Sequence, residues 1–158
     1  MNQAETLTRE EPVTAELLAE MYRNVTMGSE NLAAVVPHIR DRFLLKEVTY
    51  QLEKYADFTN RTASLLHKRA VKPKEPALMK VAMSRGGIAV NTLLDDSDGH
   101  VAEMIVKGTR TGLEQLEDKF AQLAARGADE DAVSLCREVI GFERKVIRDT
   151  EADTARLR

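Results

Sequence analysis

Four stretches of this chain repeat apolar residues at alternating intervals of three and four, and that spacing leaves little choice of architecture. The first stretch carries Leu18, Met21, Val25, Gly28, Leu32 and Val35. On an α-helix these positions fall on one side, and an apolar side must be covered by another element. Pro12 and Thr14 open this helix, with Thr14 at the N-cap, and Pro37 ends it. A second helix is expected from about Asp41 to Val71. Its seam is Leu45, Val48, Leu52, Tyr55, Thr59, Thr62 and Leu66, widened by Leu44, Gln51, Phe58 and Leu65. At ~1.5 Å per residue it is roughly 45 Å long.

Lys72-Pro73-Lys74-Glu75-Pro76 reads as a loop, because each proline fixes φ and removes a donor. The stretch 77–94 is apolar all round a helical wheel and carries Gly86-Gly87. It reads as a shorter, broken helix crossing the bundle, and its surplus apolar surface implies burial against a second subunit. Asp95-Asp96-Ser97-Asp98 then supplies N-cap chemistry for the next helix. That helix carries Val101, Ile105, Gly108, Gly112, Leu116, Phe120 and Leu123, and Gly127 follows it as a C′ residue. Asp129 is expected to cap the last helix, whose inner face is Ala132, Leu135, Cys136, Val139, Phe142 and Val146. From about Asp149 the sequence turns polar and is expected to fray.

A chain of 158 residues is sized for one domain. Residues 1–11 are expected to be a disordered tail and 12–158 a single helical domain. Short connections at Pro37 and Gly127 make two antiparallel hairpins, with a long connection between them. The fold class that follows is all-α, a ferritin-like four-helix bundle with an additional crossing helix. The N-terminus has no apolar secretory core, and no apolar run approaches the roughly 18–20 residues that cross a bilayer. A cytoplasmic, membrane-free protein is therefore expected. Basic and acidic residues number 23 and 26 and are intermixed, unlike the basic face of a nucleic-acid binder. The basic run from His67 to Lys74 falls at a helix C-terminus, where cations complement the dipole.

The usual di-metal chemistry of such a bundle needs Glu-x-x-His on two helices. No Glu here has His three places on. The reverse order occurs once, as His100-Val101-Ala102-Glu103. His100 and Glu103 lie one turn apart, and Glu20 and Glu143 are the carboxylates that would complete a metal or small-molecule site. Glu53 is a further carboxylate. Side chains lean toward the helix N-terminus, so reversing the order does not mirror the usual geometry. No metal, cofactor or redox-active centre is therefore expected.

Gly28, Gly108 and Gly112 sit within helical seams, where each costs about 1 kcal/mol relative to Ala. Close approach of two helix backbones is the expected reason, and a ligand cleft the alternative. On that reading Gly108→Leu should damage the fold more than Leu116→Ala. Asn24, Gln51, Tyr55 and Thr62 bring polar atoms toward the core and need partners there. A register-fixing network or a small polar cavity would supply them. Cys136, the lone cysteine, reads as a small core residue. Gly86-Gly87 lacks the surroundings of a phosphate loop.

Two blocks carry a resemblance. One is Met21-Tyr22-Arg23-Asn24-Val25-Thr26-Met27-Gly28. The other runs Asn91-Thr92-Leu93-Leu94-Asp95-Asp96-Ser97-Asp98-Gly99-His100-Val101-Ala102-Glu103-Met104-Ile105, continuing to Lys107-Gly108 and Gly112. With Gln51, Tyr55, Phe142 and Glu143, the chain resembles small bacterial proteins of ferritin-like type over about residues 14 to 150. The resemblance implies a helical bundle and no activity. The expected role is that of a non-enzymatic bundle acting through self-association, as a dimer, or through a protein partner. The alternative is a ferritin-like metal- or small-molecule-binding bundle using Glu20, His100, Glu103 and Glu143.

Overall fold

The computed structural model describes residues 3–71 and 95–158, with side chains from residue 12 onward. The expected loop at Lys72–Pro76, the crossing helix over 77–94 and the dimerisation drawn from it lie outside the described residues. Four long helices pack against one another: α1 (Gln3–Val35), α2 (Arg42–Lys68), α3 (Asp98–Ala125) and α4 (Glu130–Arg156). A short 3-10 helix over Val36–His38, with Pro37 inside it, turns the chain from α1 into α2. There is no strand among the described residues. No helix among them is long and apolar enough to cross a membrane.

The helix ends show why the chain turns where it does. The Asp41 carboxylate accepts from the Leu44 N–H at 2.8 Å, and the Ser97 hydroxyl accepts from the His100 N–H at 3.3 Å. Both bonds satisfy donors that the first turn leaves free. After α3, Gly127 stands at φ +92, with the Gly127 N–H on the Ala124 carbonyl and the Ala128 N–H on the Leu123 carbonyl. That is the Schellman ending expected of a C′ glycine. α2 ends in the same pattern, but its left-handed residue is Ala70 at φ 55.

Ion pairs and caps fix the arrangement of the four helices. Arg69 at the end of α2 reaches Asp129 and Asp131 at the start of α4, at 2.8 and 2.9 Å. Arg156 at the end of α4 forks Asp41 at the start of α2, at 3.0 and 2.7 Å. α2 and α4 are therefore antiparallel neighbours. α1 and α3 are also antiparallel. The Thr14 hydroxyl meets the Asp129 N–H at one end, and Asp98 accepts from the Arg40 and Asp41 N–H groups at the other.

Several expectations need correction. Helical backbone begins at Gln3 and passes through Pro12, so Pro12 does not open the helix. Thr14 is thus no N-cap; it is fully buried inside α1. Asp129 stands in the N-cap position of α4 without a side-chain cap bond, because its carboxylate turns to Arg69. α4 does not fray from Asp149. It runs to Arg156 with Thr150 and Thr154 buried, Thr150 bonded to Gln51 at 3.2 Å.

The buried face of α2 is Leu44, Val48, Gln51, Tyr55, Phe58, Thr62 and Leu66. Val48, Tyr55, Thr62 and Leu66 of the expected seam are thus buried, but the face is rotated toward Leu44, Gln51 and Phe58 of the flanking set, and Leu45 is 36% exposed. The rotation follows from partners. Phe58 packs on Phe142 at 5.4 Å between centroids, and Tyr55 meets the edge of Phe142 at 5.1 Å. Gln51 Nε2 and the Tyr55 hydroxyl find hydrogen bonds on α4, while Gln51 Oε1 is buried without a partner. The face of α4 follows expectation: Ala132, Leu135, Cys136, Val139, Phe142 and Val146 are all buried.

Candidate functional site

Midway along the bundle one carboxylate has been drawn into the core. Glu143 follows Phe142 on α4 and is 2% exposed. Its Oε1 accepts from the Tyr55 hydroxyl at 3.0 Å, and its Oε2 accepts from Asn24 Nδ2 at 3.3 Å. Burial pushes its pKa up, against the pull of the Tyr55 and Asn24 donors and with a smaller push from Glu117, to about 7. The Tyr55 hydroxyl is raised well above its ordinary value by the same burial and by the neighbouring carboxylate. Around neutral pH, Glu143 therefore stands near the point where it exchanges its proton.

Three helices position this cluster. α2 presents Tyr55 from its buried face, one turn before Phe58. α1 presents Asn24 between Met21 and Val25, and α4 presents Glu143. Gly28 makes room for the phenol: a Cβ there would lie 2.7 Å from Tyr55 Cε1. The absent side chain is replaced by a tyrosine ring, not by a second helix backbone. Gly112 accepts from Asn24 Nδ2 through its carbonyl at 3.2 Å, and a Cβ there would lie 3.4 Å from that nitrogen. At Gly108 a Cβ would meet nothing within 4 Å among the described residues. Among the described residues no helix backbone therefore stands against Gly108. The apolar face of α3 is Val101, Ala102, Ile105, Leu113, Leu116 and Leu123, and Gly108 lies beside it.

The opening is a cleft of about 600 Å³ between α1 and α3. Tyr55 and Glu143 form its base, and Met27, Leu32, Val35, Met104 and Ile105 give it apolar walls. Glu20 lies at its rim, bound to Arg23 at 2.7 Å. Asn24 lines the cleft too, and its Oδ1 is buried without a hydrogen-bond partner. Buried acceptors without donors are uncommon in folded proteins and cost stability.

Of the four residues singled out for a metal or small-molecule site, Glu20 and Glu143 line this cleft and the other two do not. Glu103 borders a different groove between α3 and α4, 3.7 Å from Arg158. His100 is held by its backbone at the Ser97 cap. No group of three or more His, Cys, Asp or Glu side chains is gathered to hold a metal among the described residues. The four do not converge, because helix α3 turns Glu103 away from the cleft that Gly108 and Gly112 border. Cys136 is buried, and burial with the nearby Glu143 raises its thiol pKa to about 12, which leaves it protonated and inert.

The sequence groups Asn24 with Tyr55 as inward polar residues and points to Glu143 separately, but does not join the three. One signal could have: Gly28 and Tyr55 are a small and a large residue on adjacent antiparallel helices, each with a polar neighbour. No protein-family model, no curated protein and no solved structure matches the chain.

Proposed function

We propose that this protein is a ligand-binding helical bundle whose site is the cleft between α1 and α3. A single observation carries the reading. A nearly enclosed carboxylate and an unpartnered amide oxygen stand where an apolar-walled cleft of about 600 Å³ reaches the core. Small-molecule sites take this form, apolar walls with a few fixed polar groups.

The ferritin-like kinship belongs to the same proposal. α2 and α3 run parallel, so the chain leaves α2 at one end and re-enters at the other, as in a bundle with one long crossover. Self-association is the second reading. It is favoured by Phe43 and Tyr50, 59% and 43% exposed and seven residues apart on one face of α2. Light scattering that gave a 17.7 kDa particle at micromolar concentration would remove it.

The binding reading is tested by a thermal-shift screen of small molecules against the wild type and Gly108→Leu. A leucine there projects into the open cleft. Compounds that raise the melting temperature of the wild type and not of the variant are expected. Equal responses in both would overturn the assignment of the site.

A further inference from the structure

The polar groups at the base of the cleft are unbalanced. The one phenolic donor, on Tyr55, is spent on Glu143 Oε1, and Asn24 Nδ2 is shared between Glu143 Oε2 and the Gly112 carbonyl. Thr109, Thr111, Asn31 and Gln115 line the cleft as well, but what the Glu143–Asn24 pair itself offers an incoming molecule is acceptor capacity: the further lone pairs of the Glu143 carboxylate and Asn24 Oδ1. An anion entering the cleft would face a carboxylate. At the rim the Arg23 guanidinium is bound to Glu20 at 2.7 Å, and the exposed Lys107 is the further cation that borders the cleft, away from the carboxylate at its base. A bare metal ion would find one carboxylate and one amide, short of the ligands it needs. The walls of Met27, Val35, Met104 and Ile105 suit an apolar body, and the methionines can adapt to its shape.

Resting on the cleft reading above, we propose that the site selects a small organic ammonium ion with an apolar body. Its N–H groups donate to the Glu143 carboxylate and to Asn24 Oδ1, and its hydrocarbon part lies along Met27, Val35 and Met104. The ammonium supplies the donors that the base of the cleft lacks. It also places a positive charge against a carboxylate that burial alone disfavours in ionised form. Charge-assisted hydrogen bonds of this kind are the stronger ones, and burial makes the charge count.

The test is titration calorimetry on the full chain at about pH 8, where Glu143 is ionised, with three probes of one length: hexylammonium chloride, 1-hexanol and sodium hexanoate. Hexylammonium is expected to bind at least ~10-fold more tightly than hexanol, with hexanoate weakest. In Glu143→Gln the preference for hexylammonium should vanish while hexanol binding persists. Hexanoate or hexanol equalling hexylammonium would overturn the proposal, as would a folded Glu143→Gln protein that kept the preference. The wild-type comparison decides alone if that variant does not fold. Gly108→Leu separates the amine preference from the cleft itself. Probes that bind the wild type without favouring the amine, and fail to bind Gly108→Leu, sink the ammonium inference and leave the cleft standing. No binding by any probe removes both.

Discussion

The α2–α4 seam and the α1–α3 seam are built on the same helical spacing, yet one is filled and the other opens into a cleft. Between α2 and α4, Tyr55 and Phe58 pack edge-on and tilted against Phe142, Gln51 meets Thr150, and Arg61 spans to Glu138 at 2.5 Å. Between α1 and α3, the corresponding level holds Gly28, Gly108, Gly112, Met27 and Met104 around a cleft that no other described residue fills. Small residues in a seam therefore have no fixed meaning. At Gly28 the missing side chain is replaced by Tyr55, and at Gly108 it is replaced by nothing among the described residues. What stands opposite a glycine decides whether it permits contact or leaves a cavity.

The largest effects should distinguish the two seams. Phe142→Ala is expected to cost about 3–5 kcal/mol, as is usual for an emptied aromatic site in a packed core. Met104→Ala, on a cleft wall and 36% exposed, should cost less than about 1 kcal/mol. Urea denaturation measures both, and equal costs would mean that the cleft wall is packed core. Within α3 alone the contrast repeats. Leu116→Ala removes a side chain only 2% exposed and should cost about 2–5 kcal/mol. Gly108→Leu should change stability by no more than about 1 kcal/mol, since helix propensity then favours leucine. This reverses the order that the sequence alone suggests, and thermal melts of the two variants decide it.

Glu143 joins the seams, and its protonation should be visible in stability. Its carboxyl ionises near 4.5 in the unfolded chain and near 7 in the folded one. Between those values the folded state holds a proton that the unfolded state has lost. Stability from this group is thus full below about pH 4.5, falls as pH rises toward 7, and is constant above. The full swing is on the order of 3 kcal/mol, since each pH unit between the two values is worth about 1.36 kcal/mol. Glu143→Gln should flatten this slope when urea midpoints at about pH 5 and pH 8 are compared. An unchanged slope would place Glu143 in contact with water.

The smallest effect concerns glycine again, now where it is missing. Ala70 and Gly127 hold the same left-handed position after α2 and α3, but only glycine takes it without strain. Ala70→Gly should stabilise the protein by about 1 kcal/mol, seen as a raised melting temperature. No gain would mean that Val71, packed against the core, already sets the turn.

These contrasts show what periodicity can and cannot convey. The inner face of α4 and the ending at Gly127 are legible because apolar spacing and a C′ glycine act locally. The face of α2 is legible only in part: Val48, Tyr55, Thr62 and Leu66 are buried as expected. Leu45, Leu52 and Thr59 repeat as regularly as Leu44, Gln51 and Phe58, and only partners on α4 choose between them. Glu143 reads in the sequence as a candidate ligand, and its actual neighbours, Tyr55 and Asn24, come from 88 and 119 residues away in the chain. The polar end of α4 resembles a fraying tail because Thr150 and Arg156 have their partners on α2.

That last pair has a further consequence for motion. Asp41 uses one carboxylate for two tasks, holding the first turn of α2 through Leu44 and receiving the fork of Arg156. The Arg156 bond, with the Leu44 N–H, also keeps its pKa down at about 2, so the junction stays charged until strong acid protonates Asp41. When the final turn of α4 lifts away, the cap of α2 loses its partner in the same event. Segments 115 residues apart should therefore open together, as one cooperative unit of hydrogen exchange, and a chain end that looks peripheral acts as part of the interior's lock.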